Sequence, residues 1–347
     1  MSLTWPELTS RVISGTDLDS SETAWAMDQV MAGETSPVVL AGFLTALAAK
    51  GESVDELTGL AESMLTHAES IDAPVESLDI VGTGGDRART VNISTMAAIA
   101  IAGTGATVVK HGNRASSSAS GSADLLESLG VDLTMSRDAV GRAAHEVGIT
   151  FLFANLFHPS MRHAAPTRRE LGIATAFNLL GPLTNPARPR ASAVGVSSAR
   201  HAPLVAGVFA KRGTDALVFR GQSGLDELTT VADNDVWEVR DGDVIHHVLD
   251  ATELNIPRAT VEDLRGADPA YNADVARRVF AGEEGIVFDT VVLNAAAGLV
   301  AADAVVEGSL TERLSVACER VSASVRAGDA LRVLDRWIGY SRDHATA

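Results

Sequence analysis

The first seventy residues place apolar positions at helical spacing, and each helix carries a recognisable start or stop. The signals are two capping-box patterns, a Ser-Pro start and a glycine stop: Thr4 with Glu7, Ser53 with Glu56, Ser36 with Pro37, and Gly51. No strand pattern occurs in this segment. Its apolar faces exceed what three or four short helices can bury among themselves, so we expect a helical domain over 1–73 that covers a leftover face with a second copy of the chain.

From about residue 77 the pattern changes to short β-branched runs that alternate with helices, which is typical of parallel βαβ units. The predicted strands cover 78–82, 107–110, 149–153, 191–196 and 215–219, followed by a hairpin of 236–240 and 244–249 that turns at Asp241-Gly242. Helices over 269–281, 285–302 and 310–327 are predicted to finish the chain.

The pattern therefore predicts an α/β fold with a small all-α N-terminal domain and a mostly parallel central sheet over 74–347. The segment 166–190 is helical and loop-like between two strands. We expect it to fold back onto the N-terminal helices, with 170–190 joining the helical domain and forming part of a hinge.

Composition and charge narrow the function. With 46% apolar, 21% charged and 4% aromatic residues, the 347-residue chain is typical of a soluble, helix-rich protein with a sizeable core. A net charge of −17 argues against nucleic acid or an anionic membrane as a partner. The single cysteine, Cys318, permits neither an intrachain disulfide nor a cysteine metal cage. No window approaches the roughly 18 apolar residues of a membrane span, so we expect a cytoplasmic protein.

A glycine-rich loop over 82–95, DIVGTGGDRARTVNIST with its flanks, follows the first strand and leads into a helix. Glycines with positive φ let the backbone approach a ligand, and the following helix start offers N–H groups to a phosphate or pyrophosphate. Asp86 could accept hydrogen bonds from a ribose. Two alternatives stay open: the glycines simply make a tight corner, and Ser94 and Thr95 are ordinary helix caps.

The next loop, over 110–122, begins with Lys110 and contains a basic, serine-rich run, KHGNRASSSASGS. Loops that follow parallel strands share the carboxyl edge of the sheet, where α/β proteins bind ligands. Lys110 would supply a point charge for phosphate, and the hydroxyl and N–H groups would surround its oxygens. A flexible Ser/Gly linker is the alternative.

Two further clusters carry candidate chemistry. Asp226 and Glu227 follow a strand and a glycine turn, and in a loop both carboxylates could hold a hydrated magnesium ion, although such a pair is commonly solvated surface. Arg168 lies beside Arg169 near a helix start and could grip a carboxylate with two hydrogen bonds. The alternative is a salt-bridged helix face.

Taken together, these blocks resemble the anthranilate phosphoribosyltransferase family, which acts in tryptophan biosynthesis. The resemblance rests on GTGGD (82–86), NIST (92–95), KHGNRASSSASGSADLLESLG (110–130), HPSMR with PTRRELG (158–172), FNLLGPLTNPA (177–187) and GLDE (224–227). It implies magnesium-dependent transfer of a phosphoribosyl group from phosphoribosyl pyrophosphate to anthranilate. The leftover apolar face of the helical segment, separately, leads us to expect a homodimer joined through the helical domain.

The resemblance further implies site residues. Phosphoribosyl pyrophosphate would contact Gly82, Gly85, Asp86, Thr90, Asn92, Ile93, Ser94, Thr95, Lys110, His111, Gly112, Asn113, Arg114, Ala115, Ser116, Ser117, Ser118 and Ser122. Anthranilate would contact Gly82, Asn113, His111, His158, Arg168 and Pro182. Magnesium would bind Ser94, Asp226 and Glu227, and the catalytic roles would fall to Lys110, Asn113 and Arg168.

Three positions depart from the family pattern: Val91 in place of a common Phe, Ala174 in place of a frequent Arg, and RGQS before GLDE. None of them removes an implied ligand. Two other functions remain alternatives, a pyrimidine nucleoside phosphorylase and a non-catalytic nucleic-acid-binding relative. The FNLLGPLTNP block and the Asp226-Glu227 pair argue against the first, and the net charge argues against the second.

Overall fold

The N-terminal part of the chain is all helical. The computed structural model describes residues 3–115, 120–303 and 307–346. Its first four helices are α1 (Trp5–Ile13), α2 (Ser20–Met31), α3 (Pro37–Lys50) and α4 (Val54–Thr66).

The caps of these helices follow the sequence signals in three cases and depart from them in one. The Ser36 hydroxyl caps the start of α3, Gly51 ends it, and Ser53 with Glu56 forms the predicted capping box of α4. The capping box predicted for Thr4 is wrong, because the Thr4 side chain makes no capping hydrogen bond. Pro6 occupies the second helical position and has no N–H to donate to it.

The remainder of the chain builds a seven-stranded sheet, in the order β3-β2-β1-β4-β5-β6-β7 among the described residues. The strands are β1 (Ser77–Gly82), β2 (Thr107–Gly112), β3 (Ile149–Phe153), β4 (Ala191–Gly195), β5 (Asp215–Gly221), β6 (Asn234–Arg240) and β7 (Asp243–Leu249). The first five are parallel, and β6 and β7 form the predicted antiparallel hairpin. The α/β fold with a helical N-terminal domain is therefore confirmed.

The end of β2 and the end of the chain differ from the prediction by more than single residues. Strand β2 extends two residues beyond Lys110, so His111 and Gly112 belong to the strand rather than to the loop. A further helix follows the predicted last one. The helices are α5 (Ile93–Gly103), α6 (Ser122–Leu129), α7 (Arg137–Glu146), α8 (Ala154–Phe157), α9 (Ala165–Leu171), α10 (Phe177–Leu183), α11 (Ala202–Arg212), α12 (Pro269–Phe280), α13 (Ile286–Ala301), α14 (Leu310–Arg326) and α15 (Asp329–Asp343).

Hydrophobic packing joins the parts of the molecule. On one face of the sheet, α5 and α13 pack together over β1 and β4 in the largest apolar core. On the other face, α11 packs on β5 and α4, and a second core joins the N-terminal helices to the sheet. Helix α9 contacts α3, and α10 contacts α4. The division at residue 73 and the hinge stay predictions.

Among the described residues, no helix combines the length and the apolar character that crossing a membrane requires.

Candidate active site

The glycine-rich loop leaves the carboxyl end of β1 and packs directly against the acidic loop that follows β5. Gly84 and Gly85 have φ values of 67° and 87°, which a side chain would strain. A Cβ at Gly82 would lie 2.3 Å from the Asp226 Oδ2 atom, and one at Gly195 would lie 1.6 Å from the Asp226 carbonyl oxygen. Glycine is therefore required here for contact between loops, beyond making a corner.

Three carboxylates meet at this contact. Asp86, Asp226 and Glu227 each have an oxygen within 4.8 Å of the others, and the Gly84 N–H donates to Asp226 Oδ2 at 2.6 Å. Glu227 Oε2 is buried with no hydrogen-bond partner among the described residues. Burial and the Asp86 charge raise the pKa of Asp226 to about 7, and burial with the Asp226 charge raises the pKa of Glu227 well above its usual value.

The alternative of a solvated Asp-Glu pair is therefore wrong, because Asp226 is buried and Glu227 partly so. Clustered carboxylates with an unpartnered buried oxygen suit a hard divalent cation, which prefers oxygen ligands. The third member, Asp86, was predicted as a ribose ligand, and folding alone brings it into this cluster.

Lys110 lies on β2, the strand next to β1, towards the same edge of the sheet as the glycine-rich loop. It is 1% exposed, and its Nζ donates to the Ile80 carbonyl at 2.5 Å and to the Ser94 hydroxyl at 3.3 Å. Burial lowers the pKa of Lys110 to about 8, although the Asp79 charge opposes that change. At neutral pH the group still carries most of its positive charge next to the start of α5.

The start of α5 is not held by serine or threonine caps. Asn92 occupies the cap position without a side-chain capping bond, so that alternative is wrong for Ser94 and Thr95. The Asn92 amide instead donates to the Ser120 carbonyl at 3.0 Å and accepts from Asn272 at 2.9 Å. Asn92 thus connects the glycine-rich loop to the end of the second loop.

The second loop is anchored at both ends by α6. The Ala115 and Gly121 N–H groups donate to one oxygen of Asp124, at 3.0 and 2.8 Å. Arg114 makes two hydrogen bonds to Glu127 at 2.5 and 2.8 Å, while Asn113 is exposed. These hydrogen bonds fix both ends of the loop, which argues against the alternative of a flexible linker. Ser116, Ser117 and Ser118, predicted to cover pyrophosphate, lie outside the described residues.

The two predicted tunnel histidines lie side by side. The His111 and His158 rings are 5.1 Å apart between centroids, with Nδ1 of His111 donating to the Gly181 carbonyl at 3.0 Å and Nε2 of His158 donating to the Thr184 carbonyl at 2.9 Å. Burial, reinforced by His158, lowers the pKa of His111 to about 3. His111 is therefore neutral, and its proton is on Nδ1. Pro182, between the two carbonyls, is buried in α10.

Arg168 has no acidic partner among the described residues, so the salt-bridged face is wrong for it. Its guanidinium lies 4.9 Å from the centre of the Phe177 ring, and burial lowers its pKa. A half-buried cation with free hydrogen-bond donors suits a carboxylate ligand.

The other residues predicted to contact phosphoribosyl pyrophosphate lie in or next to β2, α5 and α6. Thr90 pairs with Arg265 in an isolated β-bridge, Ile93 and Thr95 are buried in the first turn of α5, Gly112 ends β2, and Ser122 begins α6. A cavity of about 310 Å³ adjoins the glycine-rich loop at Thr83, Gly84 and Gly85. It also touches α3 and α10, so it lies between the two domains.

Sequence reasoning missed several supporting residues. Asp79 and Asn185 are buried and hydrogen-bonded to each other at 2.8 Å. Ser197 donates to the Gly84 carbonyl at 2.9 Å and accepts from Arg220 at its own carbonyl. A charged residue inside the apolar run LDIVG was a usable signal for Asp79, because an aspartate is seldom buried without a specific partner.

Comparison with known proteins identifies the class. Residues 6–68 match the helical bundle domain of a glycosyl transferase family, and residues 75–331 match its a/b domain. The fold and the acidic, glycine-rich site thus define a two-domain glycosyl transferase.

Relatives and solved structures then identify the family. Anthranilate phosphoribosyltransferase from Arthrobacter sp. (strain FB24) is 58% identical over 98% of this chain and 96% of its own length. The corresponding structure from Thermus thermophilus has a TM-score of 0.90 at 42% identity, covering 96% of this chain and 99% of that one. The Saccharomyces cerevisiae enzyme in complex with PRPP and Mg has a TM-score of 0.88 at 26% identity, covering 98% of each. The chain belongs to the anthranilate phosphoribosyltransferase family.

Proposed function

We propose that this protein transfers the phosphoribosyl group of phosphoribosyl pyrophosphate to the amino group of anthranilate, releasing pyrophosphate. The observation that carries the proposal is the contact of three carboxylates with a glycine-rich loop at one edge of the sheet, where the buried Lys110 lies on the adjacent strand and bonds to β1. The yeast relative named in complex with PRPP and Mg, and with 4-fluoroanthranilate, supports both substrates.

Magnesium fits the carboxylate cluster. Asp226 and Glu227 would hold the ion, with Asp86 beside them and Ser94 as a further proposed ligand. When bound, the ion would offset the negative charge that grows on the departing pyrophosphate. The N–H groups of the glycine-rich loop and the charge of Lys110 act on the same anion, so the protein itself contributes to leaving-group departure.

Departure of pyrophosphate is the difficult step, because the anomeric carbon gains oxocarbenium character, as in glycoside cleavage. The C–O bond to pyrophosphate breaks, and the anthranilate nitrogen donates its electron pair to form the C–N bond. Arg168 would hold the anthranilate carboxylate, and Asn113 would help to orient the ring for that attack. No covalent enzyme intermediate is required.

The proton released by the new C–N bond does not need a strong base. The nitrogen becomes strongly acidic once the bond forms, and water can accept its proton. With its pKa lowered to about 3 by burial, His111 is a poor proton acceptor at neutral pH. We infer that His111 lines the anthranilate site and is held there by the Gly181 carbonyl.

We further propose a cytoplasmic homodimer that pairs through the helical domain. Ile13 on α1 and Val38 on α3 are 73% and 82% exposed, which supports the predicted uncovered apolar face. The net charge of −17 argues against nucleic acid as a partner.

A fluorescence assay tests the reaction. Anthranilate fluorescence should fall only when phosphoribosyl pyrophosphate and magnesium are both present, and EDTA should stop the decay. Thymidine with inorganic phosphate is the comparison for a nucleoside phosphorylase and should give no thymine. Thymine release without anthranilate consumption would replace the proposed function.

A further inference from the structure

The ladder between β1 and β2 is open at the end that carries the two ligand loops. These strands are paired at Ser77–Thr107 and Leu78–Val108 only, whereas β1 with β4 and β2 with β3 each keep five pairs. Regular pairing would satisfy the backbone groups that face across the gap. Past Leu78, side chains take over that function.

Three side chains bond to the freed backbone groups. Asp79 Oδ1 accepts from the His111 N–H at 3.1 Å, and the Asn185 amide donates to the Val109 carbonyl at 2.7 Å. Lys110 Nζ donates to the Ile80 carbonyl at 2.5 Å. Every one of these backbone groups lies on a strand that leads into a ligand loop. These backbone groups therefore have hydrogen-bond partners although the ladder stops, and the strand ends are not frayed.

Asp79 and Asn185 join each other across this gap. Asn185 Nδ2 donates to Asp79 Oδ2 at 2.8 Å, and Asn185 Oδ1 accepts from the Ala187 N–H at 2.9 Å. Asp79 is 0% exposed and Asn185 is 5% exposed. Asn185 lies just after α10. The Gly181 carbonyl in α10 holds the His111 ring and the Thr184 carbonyl after it holds the His158 ring, so the pair also connects the sheet to the histidine cluster.

Burying a carboxylate is costly, and simple stability does not call for one here. An apolar residue in β1 with ordinary pairing would complete the ladder at lower cost. The acid instead bonds to the backbone of β2 and to Asn185 where the ladder pairing has stopped. Burial raises the pKa of Asp79 to about 6, so the group remains largely ionised at neutral pH.

We propose that Asp79 and Asn185 are positioning residues for the transfer reaction: the pair holds the ends of β1 and β2 apart and thereby sets the distance between the glycine-rich loop and the Lys110–His111 end of β2. This inference rests on the proposed function. The pair contacts no substrate itself and acts through His111, Lys110 and the loop backbone.

The test compares Asp79→Asn, Asn185→Ala and the double variant with the parent protein. Asp79→Asn keeps the size of the side chain but replaces one of its two acceptor oxygens by an NH2 group. Either the His111 N–H or the Asn185 amide then faces a donor in place of an acceptor, so the strand ends shift. We expect kcat to fall about tenfold or more in each single variant, since a displacement near 1 Å can cost a hundredfold. Because the two residues act as one unit, the double variant should lose no more than the worse single variant.

Glu238→Gln is the matched control. Glu238 is also a buried carboxylate, held by two hydrogen bonds from Arg313 at 2.6 and 2.7 Å, but it lies on β6, away from the site. Its variant should unfold at a lower temperature while kcat stays within twofold of the parent value. A purely structural role for Asp79 would give that same result, and so would overturn the proposal.

Further outcomes also decide the proposal. Losses in kcat that multiply in the double variant would show that Asp79 and Asn185 act separately, against the proposal. If circular dichroism shows that Asp79→Asn does not fold, kcat of Asn185→Ala alone decides. A value within twofold of the parent value would overturn the positioning role.

Lack of turnover in the parent protein would instead reject the proposed function. The positioning role would then be tested by calorimetric binding of phosphoribosyl pyrophosphate with magnesium. Equal affinities of the parent and the variants would overturn it.

Discussion

At the scale of single residues, the site consists of charged and polar groups that lack their ordinary partners. Glu227 Oε2 and His111 Nε2 are buried without a hydrogen-bond partner among the described residues, and Arg168 stacks on an aromatic ring without an acid beside it. Unpartnered polar groups cost stability, so they concentrate where a ligand completes them. A substitution at such a group is therefore expected to affect ligand binding more than it lowers the stability of the fold.

Arg168→Ala should raise the Michaelis constant for anthranilate about tenfold or more and change that for phosphoribosyl pyrophosphate little. The reason is the loss of a charge-assisted hydrogen-bond pair to the carboxylate, worth about 1.5–3 kcal/mol. Steady-state kinetics with each substrate varied in turn measures both constants. Arg169→Ala, at the exposed neighbouring position, is the control. An unchanged anthranilate constant in Arg168→Ala would remove the assignment.

His111 should make the protein sensitive to acid. Its pKa is about 3 in the folded protein and 6.5 ordinarily, so below pH 6.5 the unfolded chain binds a proton that the folded chain does not. Stability is therefore lost as the pH falls from about 6.5 towards 3. Between pH 7.5 and 5.5, we expect the parent to lose on the order of 1 kcal/mol more than His111→Gln.

Urea unfolding at the two pH values measures this difference. His145→Gln, at an exposed position on α7, should keep the pH dependence of the parent. If the parent and His111→Gln lose the same free energy of unfolding, the buried neutral state of His111 is wrong.

At the scale of elements, the two ligand loops depend on the helices that follow them. Asp124, in the first turn of α6, accepts hydrogen bonds from Ala115 on one side of the serine-rich loop and from Gly121 on the other. One carboxylate oxygen thus closes the loop onto the helix start, where negative charge is also favoured by the helix dipole. The loop ends are set before any ligand binds.

Asp124→Asn should loosen that closure. Loss of charge weakens two backbone hydrogen bonds, so the loop must be ordered by the ligand, and the Michaelis constant for phosphoribosyl pyrophosphate should rise severalfold. The control is Asp138→Asn, the same change in the first turn of α7. Kinetics at saturating anthranilate gives the constant. Equal values in the two variants would mean that the Asp124 anchor does not contribute to substrate binding.

Elements were predicted well where the signal was local. Ser53 with Glu56 caps α4 and Asp241-Gly242 turns the hairpin, because each pattern is satisfied within a few residues. The end of β2 was predicted less well. His111 continues the strand because it pairs with Leu152 of β3 and its N–H donates to Asp79, and neither partner is near it in the sequence.

At the scale of the whole molecule, the helical domain contributes one wall of the interdomain cavity and one uncovered apolar face. The cavity beside the glycine-rich loop includes Ala48 and Glu52, and Glu52 pairs with His201 across the domain boundary at 3.4 Å. The exposed side chains Ile13 and Val38 are on other parts of α1 and α3. The proposed closure over substrate and the proposed pairing with a second copy would therefore use different surfaces.

Val38→Glu should convert the proposed homodimer to a monomer, because a charge buried at an apolar interface has no partner. Sedimentation equilibrium measures the mass. Val316→Glu on α14, where Val316 is 52% exposed, should leave the dimer intact. A parent protein that sediments as a single chain would reject the homodimer.

The sequence by itself determined the helices and strands, the order of the two domains, and the loops that bear glycine, serine and lysine, since these depend on periodicity and on neighbours a few positions apart. Tertiary structure alone decided which of these residues meet. Asp226 lies 142 positions from Gly84, and Asn185 lies 106 positions from Asp79, yet each pair is within hydrogen-bonding distance. Such contacts arise from strand order and packing of the whole core, so no local pattern encodes them.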